Sequence, residues 1–152
     1  MVEDVINFFH RCAPSYLTKP HKAYIIFSII RIMELVALLS SGKGTWGQVF
    51  GLINQGEWEK VILIVNDFAS SSVGGFKFNK EVDTVSLNFN KGMKELISDI
   101  KDKIKNKIEG SEVALTIASG SGKEHMAIIS ALLHLPVGVK FVALVNEGVI
   151  EF

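Results

Sequence analysis

The sequence predicts an α/β protein with a mainly parallel sheet that is covered by helices. Continuous apolar runs of strand length, such as Met33–Ser40 and Glu59–Asn66, alternate with segments that carry helical periodicity. Such runs are typical of central parallel strands that are buried on both faces. Their alternation with helices favours right-handed crossovers. We expect the strand order 3-2-1-4-5, with a further antiparallel hairpin strand at the C-terminus.

The composition indicates a globular domain with a proper core. The chain has 152 residues, a hydrophobic fraction of 48% and a formal net charge of zero. A protein that coats duplex nucleic acid is normally basic, so this balance argues against that class of partner. Cys12 is the only cysteine, which excludes an internal disulfide and fits a reducing, cytoplasmic location. It has no clustered metal-ligating neighbours, so we expect no metal site.

Residues 1–32 are interpreted as an extension in front of a domain that spans residues 33–152. The run Ala23–Leu39 is mostly apolar, but it is short for a bilayer span and contains two charged residues. Acidic residues precede it and no clean cleavage site follows it, which makes it a poor signal peptide. We therefore expect no membrane segment. Met33 is an alternative natural start of the chain.

Three strands and one helix are predicted in the first half of the domain. Met33–Ser40 ends in a turn that leads into a short helix, Trp46–Gln55, and Glu59–Asn66 is the second strand. The stretch Asp67–Glu81 is rich in Ser and Gly and is predicted to be a loop, of the kind that often closes over a site. Val82–Asn88 is predicted to be a third strand nearer the edge of the sheet.

The second half begins with an amphipathic helix. Apolar residues recur on one of its faces at helical spacing: Met93, Leu96, Ile97, Ile100, Ile104 and Ile108. Its lysines alternate with carboxylates, which favours a solvated face over a nucleic-acid stripe. A strand, Val113–Ile117, and a second helix, Lys123–His134, follow. Because this helix is apolar nearly all round, we expect it to be buried within the domain or at a subunit contact. Val139–Val145 is the next strand, and Asn146-Glu147-Gly148 turns into an antiparallel edge, Val149–Phe152.

Two Gly/Ser loops follow strands that we expect to be neighbours. Ligands of open α/β sheets bind beyond the carboxyl ends of the strands, where the winding direction reverses. With the expected strand order, the loops Ser40–Thr45 and Ala118–Lys123 meet at that point, each with one lysine, Lys43 or Lys123. The backbone N–H groups of a small-residue loop at a helix N-terminus favour an anion. We therefore expect one crevice that holds a phosphate-bearing ligand.

The first loop also contains a dinucleotide-binding fingerprint. The hexapeptide Gly42–Gly47 matches G-x-G-x-x-G between a strand and a helix, and Asp67 stands where an acid binds a ribose hydroxyl. Two serines lengthen the turn, and no catalytic domain for a hydride acceptor is evident. The P-loop pattern fails at both loops, because Ala37 and Ile117 occupy the position of its first glycine. A small NAD(P)-type binding protein is therefore an alternative interpretation.

Residues 33–152 resemble the CRISPR-associated Rossmann-fold (CARF) domain. The resemblance rests on Ser40-Ser41-Gly42-Lys43, on the segment 116–126 (TIASGSGKEHM) and on Leu135-Pro136-Val137 before a strand and hairpin. The corresponding loop of the family has the form T-G-G-T-K-x-M, and Lys123 and Met126 stand where its Lys and Met would be. The chain departs from the family in the extension in front and in the lack of a recognisable effector domain behind, which implies a stand-alone sensor with a Rossmann-like sheet.

The resemblance implies a homodimer that binds a cyclic oligoadenylate across its two-fold axis, and some family members slowly cleave that ring. Metal-independent cleavage would proceed by attack of a ribose 2′-hydroxyl on the adjacent phosphate, with charge stabilised by Lys123 and backbone amides. The candidate catalytic residues are Lys123 and Ser119, and no general base stands out. The candidate ligand-binding residues are Ser41, Gly42, Lys43, Gly44, Thr45, Asp67, Ser119, Gly120, Ser121, Gly122, Lys123 and His125. No cofactor is implied. A third interpretation is a partner-binding module whose 123–134 helix makes a subunit interface.

Overall fold

Six strands and four α-helices form residues 33–152, the part of the chain that the computed structural model describes. The strands are β1 (Met33–Leu39), β2 (Trp58–Val65), β3 (Val82–Ser86), β4 (Glu112–Thr116), β5 (Gly138–Val145) and β6 (Gly148–Glu151). The helices are α1 (Trp46–Gln55), α2 (Asp67–Val73), α3 (Met93–Ile104) and α4 (Gly122–Leu133), and a short 3₁₀ turn, Lys43–Thr45, precedes α1. The predicted extension with Cys12 lies outside the described residues. None of the four helices is long and apolar enough to cross a bilayer.

The strands form one sheet in the order β3-β2-β1-β4-β5-β6. All pairs are parallel except β5 with β6, which is an antiparallel hairpin. The predicted α/β class, the Rossmann-like order and the terminal hairpin are therefore confirmed. Because the chain winds outward from β1 to β3 and then from β4 to β5 on the other side, the winding direction reverses between β1 and β4.

Helices cover both faces of the sheet, and this explains why the apolar run of β1 is continuous. Its residues Leu35, Ala37 and Leu39 pack in the cluster that contains α1 and α2. The alternate residues Val36 and Leu38 pack in the cluster that contains α3 and α4. Successive strand side chains point to opposite faces, so a strand between two helical layers needs apolar residues at every position.

The prediction that Asp67–Glu81 is a loop is wrong in its first half, where α2 forms. The side chain of Asn66 caps this helix, since its Oδ1 accepts a hydrogen bond from the backbone N–H of Ala69 at 2.8 Å. Ala69 and Val73, four residues apart, are the buried face. Because three of the seven residues are serines, two apolar positions are too few to give a recognisable helical pattern. The capping residue Asn66 is the local signal that indicates this helix.

The segment after α2 packs on α1 and does not form a free lid. The ring centroids of Phe76 and Phe78 lie 4.4 Å and 5.3 Å from that of Phe50. Aromatic pairs at these separations attract one another beyond the area that they bury. Lys77 between them therefore lies on a segment that is anchored to the α1 layer.

Only one face of α4 is buried within the domain, so the predicted burial inside the domain holds for that face alone. Ala127, Ile128, Ala131 and Leu132 are fully buried against the sheet. Met126 and Leu133, however, are 62% and 70% exposed. Seven residues separate them, so they lie on the same face of the helix, which faces away from the domain core.

At the amino ends of the strands, a buried acid connects β1 to the segment between α3 and β4. Glu34 on β1 is almost fully buried, and its carboxylate accepts hydrogen bonds from the backbone N–H groups of Glu109 and Gly110 at 3.0–3.2 Å. A buried carboxylate is tolerated only where such donors replace water. Glu34 therefore holds the α3–β4 connection against the start of the central strand.

We expect Glu34→Ala to lower the free energy of unfolding by about 1.5–3 kcal/mol, because it removes hydrogen bonds to a charged group and leaves two backbone donors unpaired. Urea denaturation followed by circular dichroism measures this loss. Glu59→Ala, at an exposed position on β2, is the matched control and should change stability by less than about 0.5 kcal/mol. Equal losses in both variants would contradict the role given to Glu34.

Candidate functional site

A crevice of about 490 Å³ lies at the carboxyl ends of the central strands. Its lining comes from the segments that follow β1, β2, β3 and β4: Ser40, Ser41, Asn66, Asp67, Phe68, Leu87, Asn88, Phe89, Asn90, Ser121, Lys123 and Glu124. Its volume falls in the range of about 300–1,000 Å³ that is usual for small-molecule sites. Its position at the reversal between β1 and β4 is where open α/β sheets bind ligands.

Ser40, the first residue after β1, joins the two Gly/Ser loops on the floor of the crevice. Its hydroxyl donates to Oε1 of Glu124 at 3.0 Å, and its backbone N–H donates to Oγ of Ser119 at 3.4 Å. Its carbonyl accepts a hydrogen bond from Nε1 of Trp46 at 2.8 Å. Ser40, Ser119 and Glu124 are all buried. The loops after β1 and β4 therefore lie side by side, as the strand order requires.

The start of α4 is held by a reciprocal capping arrangement. The hydroxyl of Ser121 accepts from the backbone N–H of Glu124 at 3.4 Å, and Oε2 of Glu124 accepts from the backbone N–H of Ser121 at 2.6 Å. This capping box satisfies two backbone donors that a helix start leaves open. Glu124 thus uses one carboxylate oxygen for the helix and the other for Ser40.

Ser119 and His125 lie behind the lining of the crevice. Ser119 is 1% exposed, and its carbonyl oxygen is 2.9 Å from Nε2 of His125, so that nitrogen carries the proton and donates. The Ser119 hydroxyl accepts from Ser40. The sequence proposed Ser119 as a catalytic residue, but the structure places it inside the loop, where it orders the two neighbouring segments.

Lys123 reaches across the crevice to the segment that follows β3. Its Nζ donates to the carbonyl oxygens of Phe89, at 3.0 Å, and of Lys91. Lys91 itself adds no free positive charge, because its ammonium is paired with the carboxylates of Asp99 and Glu95. The same hydrogen bonds, that to Asp99 first, hold the pKa of Lys91 above the usual range. Lys123 is therefore the cation that the crevice offers.

The lining of the crevice is electrostatically mixed. One ammonium, that of Lys123, shares it with the carboxylates of Asp67 and Glu124. Eight of the other lining residues are serines, asparagines or phenylalanines. Within residues 33–152, no three His, Cys, Asp or Glu side chains are grouped as metal ligands. The site therefore suits a ligand with polar and aromatic parts and a low density of negative charge.

Lys43 is placed differently from the prediction that two lysines face each other across the crevice. It is not among the described residues that line the crevice. Its Nζ lies 5.3 Å from the ring centroid of Phe68 and 5.9 Å from that of Trp46. At these distances an ammonium is attracted to the face of an aromatic ring. Lys43 therefore stands beside the mouth of the crevice, over aromatic rings.

The three glycines of the fingerprint do not have the environment that this motif requires. The motif uses glycine so that the backbone approaches the ligand and the helix packs closely on the strand. At Gly42, Gly44 and Gly47 an added Cβ would meet nothing within 4 Å, and none of the three has a positive φ. Thr45 donates from Oγ1 to the carbonyl of Gly42 and closes the turn locally. The hexapeptide therefore matches the fingerprint in sequence, but its glycines lack the close contacts that the motif requires.

Four of the predicted ligand-binding residues line the crevice, namely Ser41, Asp67, Ser121 and Lys123. The other predicted positions lie outside the lining, His125 in the first turn of α4 and the rest in the same two loops. Sequence reasoning missed the residues contributed by the segments after β2 and β3: Asn66, Phe68, Leu87, Asn88, Phe89 and Asn90. The rule that ligands bind at carboxyl ends of strands applies equally to those two strands and could have found them.

No protein-family model matches the chain, and no curated protein matches it. The resemblance to the CARF domain therefore stays a prediction from the residues that carry it.

Gly120 tests the geometry of the β4–α4 loop. Its φ is +116°, and an added Cβ would lie 2.5 Å from Cδ2 of the buried Leu38. We expect Gly120→Ala to lower the free energy of unfolding by about 1–3 kcal/mol, because a side chain is strained at that φ and has no room. Thermal and urea denaturation measure the loss.

The matched control is Gly122→Ala, at the first residue of α4. There an added Cβ meets nothing within 4 Å, and alanine favours a helix by up to about 1 kcal/mol over glycine. This variant should be neutral or slightly stabilised. A stable Gly120→Ala variant would show that the loop is looser than the contacts around Gly120 imply.

Proposed function

We propose that this chain is a CARF-like cytoplasmic sensor that binds a cyclic oligoadenylate in the crevice, as a homodimer. The observation that carries the proposal is the junction of the β1 and β4 loops through Ser40 and Glu124, beside the N-terminus of α4 and Lys123. Main-chain donors at a capped helix start, next to one ammonium, suit a phosphate group.

The mixed charge of the crevice supports a phosphodiester over a polyphosphate. A cyclic oligoadenylate carries one negative charge for each nucleotide, spread around the ring, so that each Lys123 meets a single phosphodiester. The tightly clustered charges of a triphosphate would meet the carboxylates of Asp67 and Glu124, and like charges at short range are costly. Ribose hydroxyls, in contrast, find acceptors in those same carboxylates.

The exposed face of α4 supports the homodimer. Met126, Ile129 and Leu133 follow one another at helical spacing, and the first and last of them are exposed. Exposed apolar side chains that share one helix face are typical of a contact surface. Met126 is only three residues from Lys123, so a two-fold contact through this face keeps the two crevices near each other.

Slow cleavage of the ring belongs to the same proposal as a second step. A ribose 2′-oxygen attacks the adjacent phosphorus, the bond from phosphorus to the 5′-oxygen breaks, and the products are a 2′,3′-cyclic phosphate and a 5′-hydroxyl. Lys123 and the backbone N–H groups at the start of α4 stabilise the charge on the phosphate. Glu124 is already bonded to Ser40 and Ser121, so positioning for in-line attack has to supply most of the rate.

A dinucleotide-binding protein is a second candidate, which the position of Asp67 favours. Asp67 follows β2 and lines the crevice, as an acid that binds a ribose hydroxyl would. The open surroundings of Gly42, Gly44 and Gly47 count against this candidate. If NAD binds, and Asp67→Ala weakens that binding, this second function is the correct one.

We expect cyclic tetra-adenylate or cyclic hexa-adenylate to bind with a measurable heat in titration calorimetry. Lys123→Ala should weaken binding at least tenfold, because it removes the ammonium that meets the phosphodiester. Lys105→Ala, an exposed lysine at the far end of α3, is the control and should bind within twofold of the unaltered chain. Chromatography of the incubated ligand, with a chelator present, detects linear cleavage products.

No heat with either ring, from a folded dimer, would remove the proposal. Equal binding by Lys123→Ala and Lys105→Ala would contradict the proposed location of the binding site, while the proposed ligand would still stand. Thermal denaturation of both variants accompanies the titrations, because Lys123 also bonds to two carbonyls.

We expect the chain to sediment as a dimer. The double substitution Met126→Glu, Leu133→Glu should make it a monomer, because it removes apolar contact area and would bury two uncompensated charges in the interface. Analytical ultracentrifugation distinguishes the two states. Phe76→Glu, an exposed apolar position on the opposite face of the sheet, is the control and should stay a dimer. A dimer that survives the double substitution would place the contact elsewhere.

A further inference from the structure

Phe68 presents an aromatic ring to the crevice. It stands in the first turn of α2, directly after Asp67, and it lines the crevice while 50% of it remains exposed. Full burial of a side chain of this size would stabilise the fold, and half of that burial is missing here. An aromatic ring kept partly open at the wall of a crevice is suited to stack on a flat ligand.

The ring is held in place by its surroundings. Asn66 caps α2 through Ala69, which fixes the turn that carries Phe68. The ring centroid of Trp46 lies 6.5 Å away at an interplanar angle of 59°, and Nζ of Lys43 lies 5.3 Å from the Phe68 centroid. A platform that is already ordered loses little entropy when a ligand stacks on it.

The segment that follows β3 offers amide groups to the crevice. Asn88 and Asn90 both line the crevice, and Oδ1 of Asn88 accepts from the backbone N–H of Asn90 at 2.9 Å, which fixes the turn between them. Lys123 binds the carbonyls of Phe89 and Lys91 and so anchors the same turn. An asparagine side chain carries a donor and an acceptor side by side, which matches the exocyclic amine and N7 of adenine.

We propose that Phe68 is the stacking platform for one adenine base of the ligand and that the Asn88–Asn90 turn reads the edge of that base. This inference rests on the proposed nucleotide ligand and assigns its base to a wall that neither Gly/Ser loop supplies. The phosphodiester then lies toward Lys123 and the start of α4, and the ribose lies between them near Asp67.

The test compares Phe68→Ala with Phe76→Ala. Phe76 is a matched control, since it is 46% exposed and belongs to the same aromatic cluster, but it does not line the crevice. Phe68→Ala should weaken binding of cyclic tetra-adenylate by about 5- to 100-fold, the range for loss of one base–aromatic stack. Phe76→Ala should bind within twofold of the unaltered chain. Phe68→Trp, which keeps an aromatic surface, should restore binding.

Two further probes separate the base from the rest of the ligand. Ligand-observed NMR compares AMP with ribose 5-phosphate, which lacks the base. AMP should bind more tightly than ribose 5-phosphate, and Phe68→Ala should remove that preference. A base that stacks on Phe68 should also quench the fluorescence of the neighbouring Trp46. This signal is measured in a Trp58→Phe background, where Trp46 is the only tryptophan.

Each outcome decides between the proposals. Tight binding of cyclic tetra-adenylate that is unchanged in Phe68→Ala overturns the stacking platform and leaves the proposed function standing. A base preference with AMP that depends on Phe68, without binding of either ring, supports the platform and overturns the proposed ligand. Equal losses in Phe68→Ala and Phe76→Ala show a structural role for the cluster and overturn the platform. No binding of any of these probes overturns both.

Discussion

The carboxylate of Glu124 is the contact on which the crevice depends. One oxygen binds the hydroxyl of Ser40 after β1, and the other binds the backbone of Ser121 at the start of α4. A buried carboxylate is costly unless hydrogen-bond donors replace its water. Loss of either donor would therefore leave a buried charge unsatisfied, and this cost keeps both partners in place. Since β1 and β4 flank the point where the winding reverses, this side chain, together with the bond from the Ser40 backbone N–H to the Ser119 hydroxyl, joins the two loops on the floor of the crevice.

The same carboxylate limits what the crevice can bind. A helix start and a lysine favour an anion, but Glu124 and Asp67 lie in the same lining and lower the positive potential there. Binding therefore depends less on charge than on the fit of polar and aromatic groups. Serine hydroxyls, asparagine amides and the half-exposed ring of Phe68 supply those groups.

Two different layers flank the crevice. The α1 and α2 layer carries the aromatic cluster, whose edge at Phe68 opens to the crevice. The α3 and α4 layer is mainly aliphatic, and α4 carries the exposed Met126 and Leu133 on its outer face. In the proposed function these two surfaces have separate roles, the first for a base of the ligand and the second for the neighbouring chain. The fold places them on either side of one set of loops.

Continuous apolar runs and helical spacing by themselves determined the fold class and the position of the two Gly/Ser loops, because burial on both faces leaves a direct mark on the sequence. The strand order was expected from the usual winding of open α/β sheets, and the structure confirms it. The short helix α2 was not predicted, since its apolar face is two residues wide among serines. For α4, the apolar residues alone did not say which face packs in the domain and which is exposed. Only the tertiary structure decided that Ser119 lies behind the lining, that Lys43 stands over Phe68, and that Glu124 joins the loops. Those outcomes depend on distances between segments far apart in the chain, and no local pattern encodes such distances.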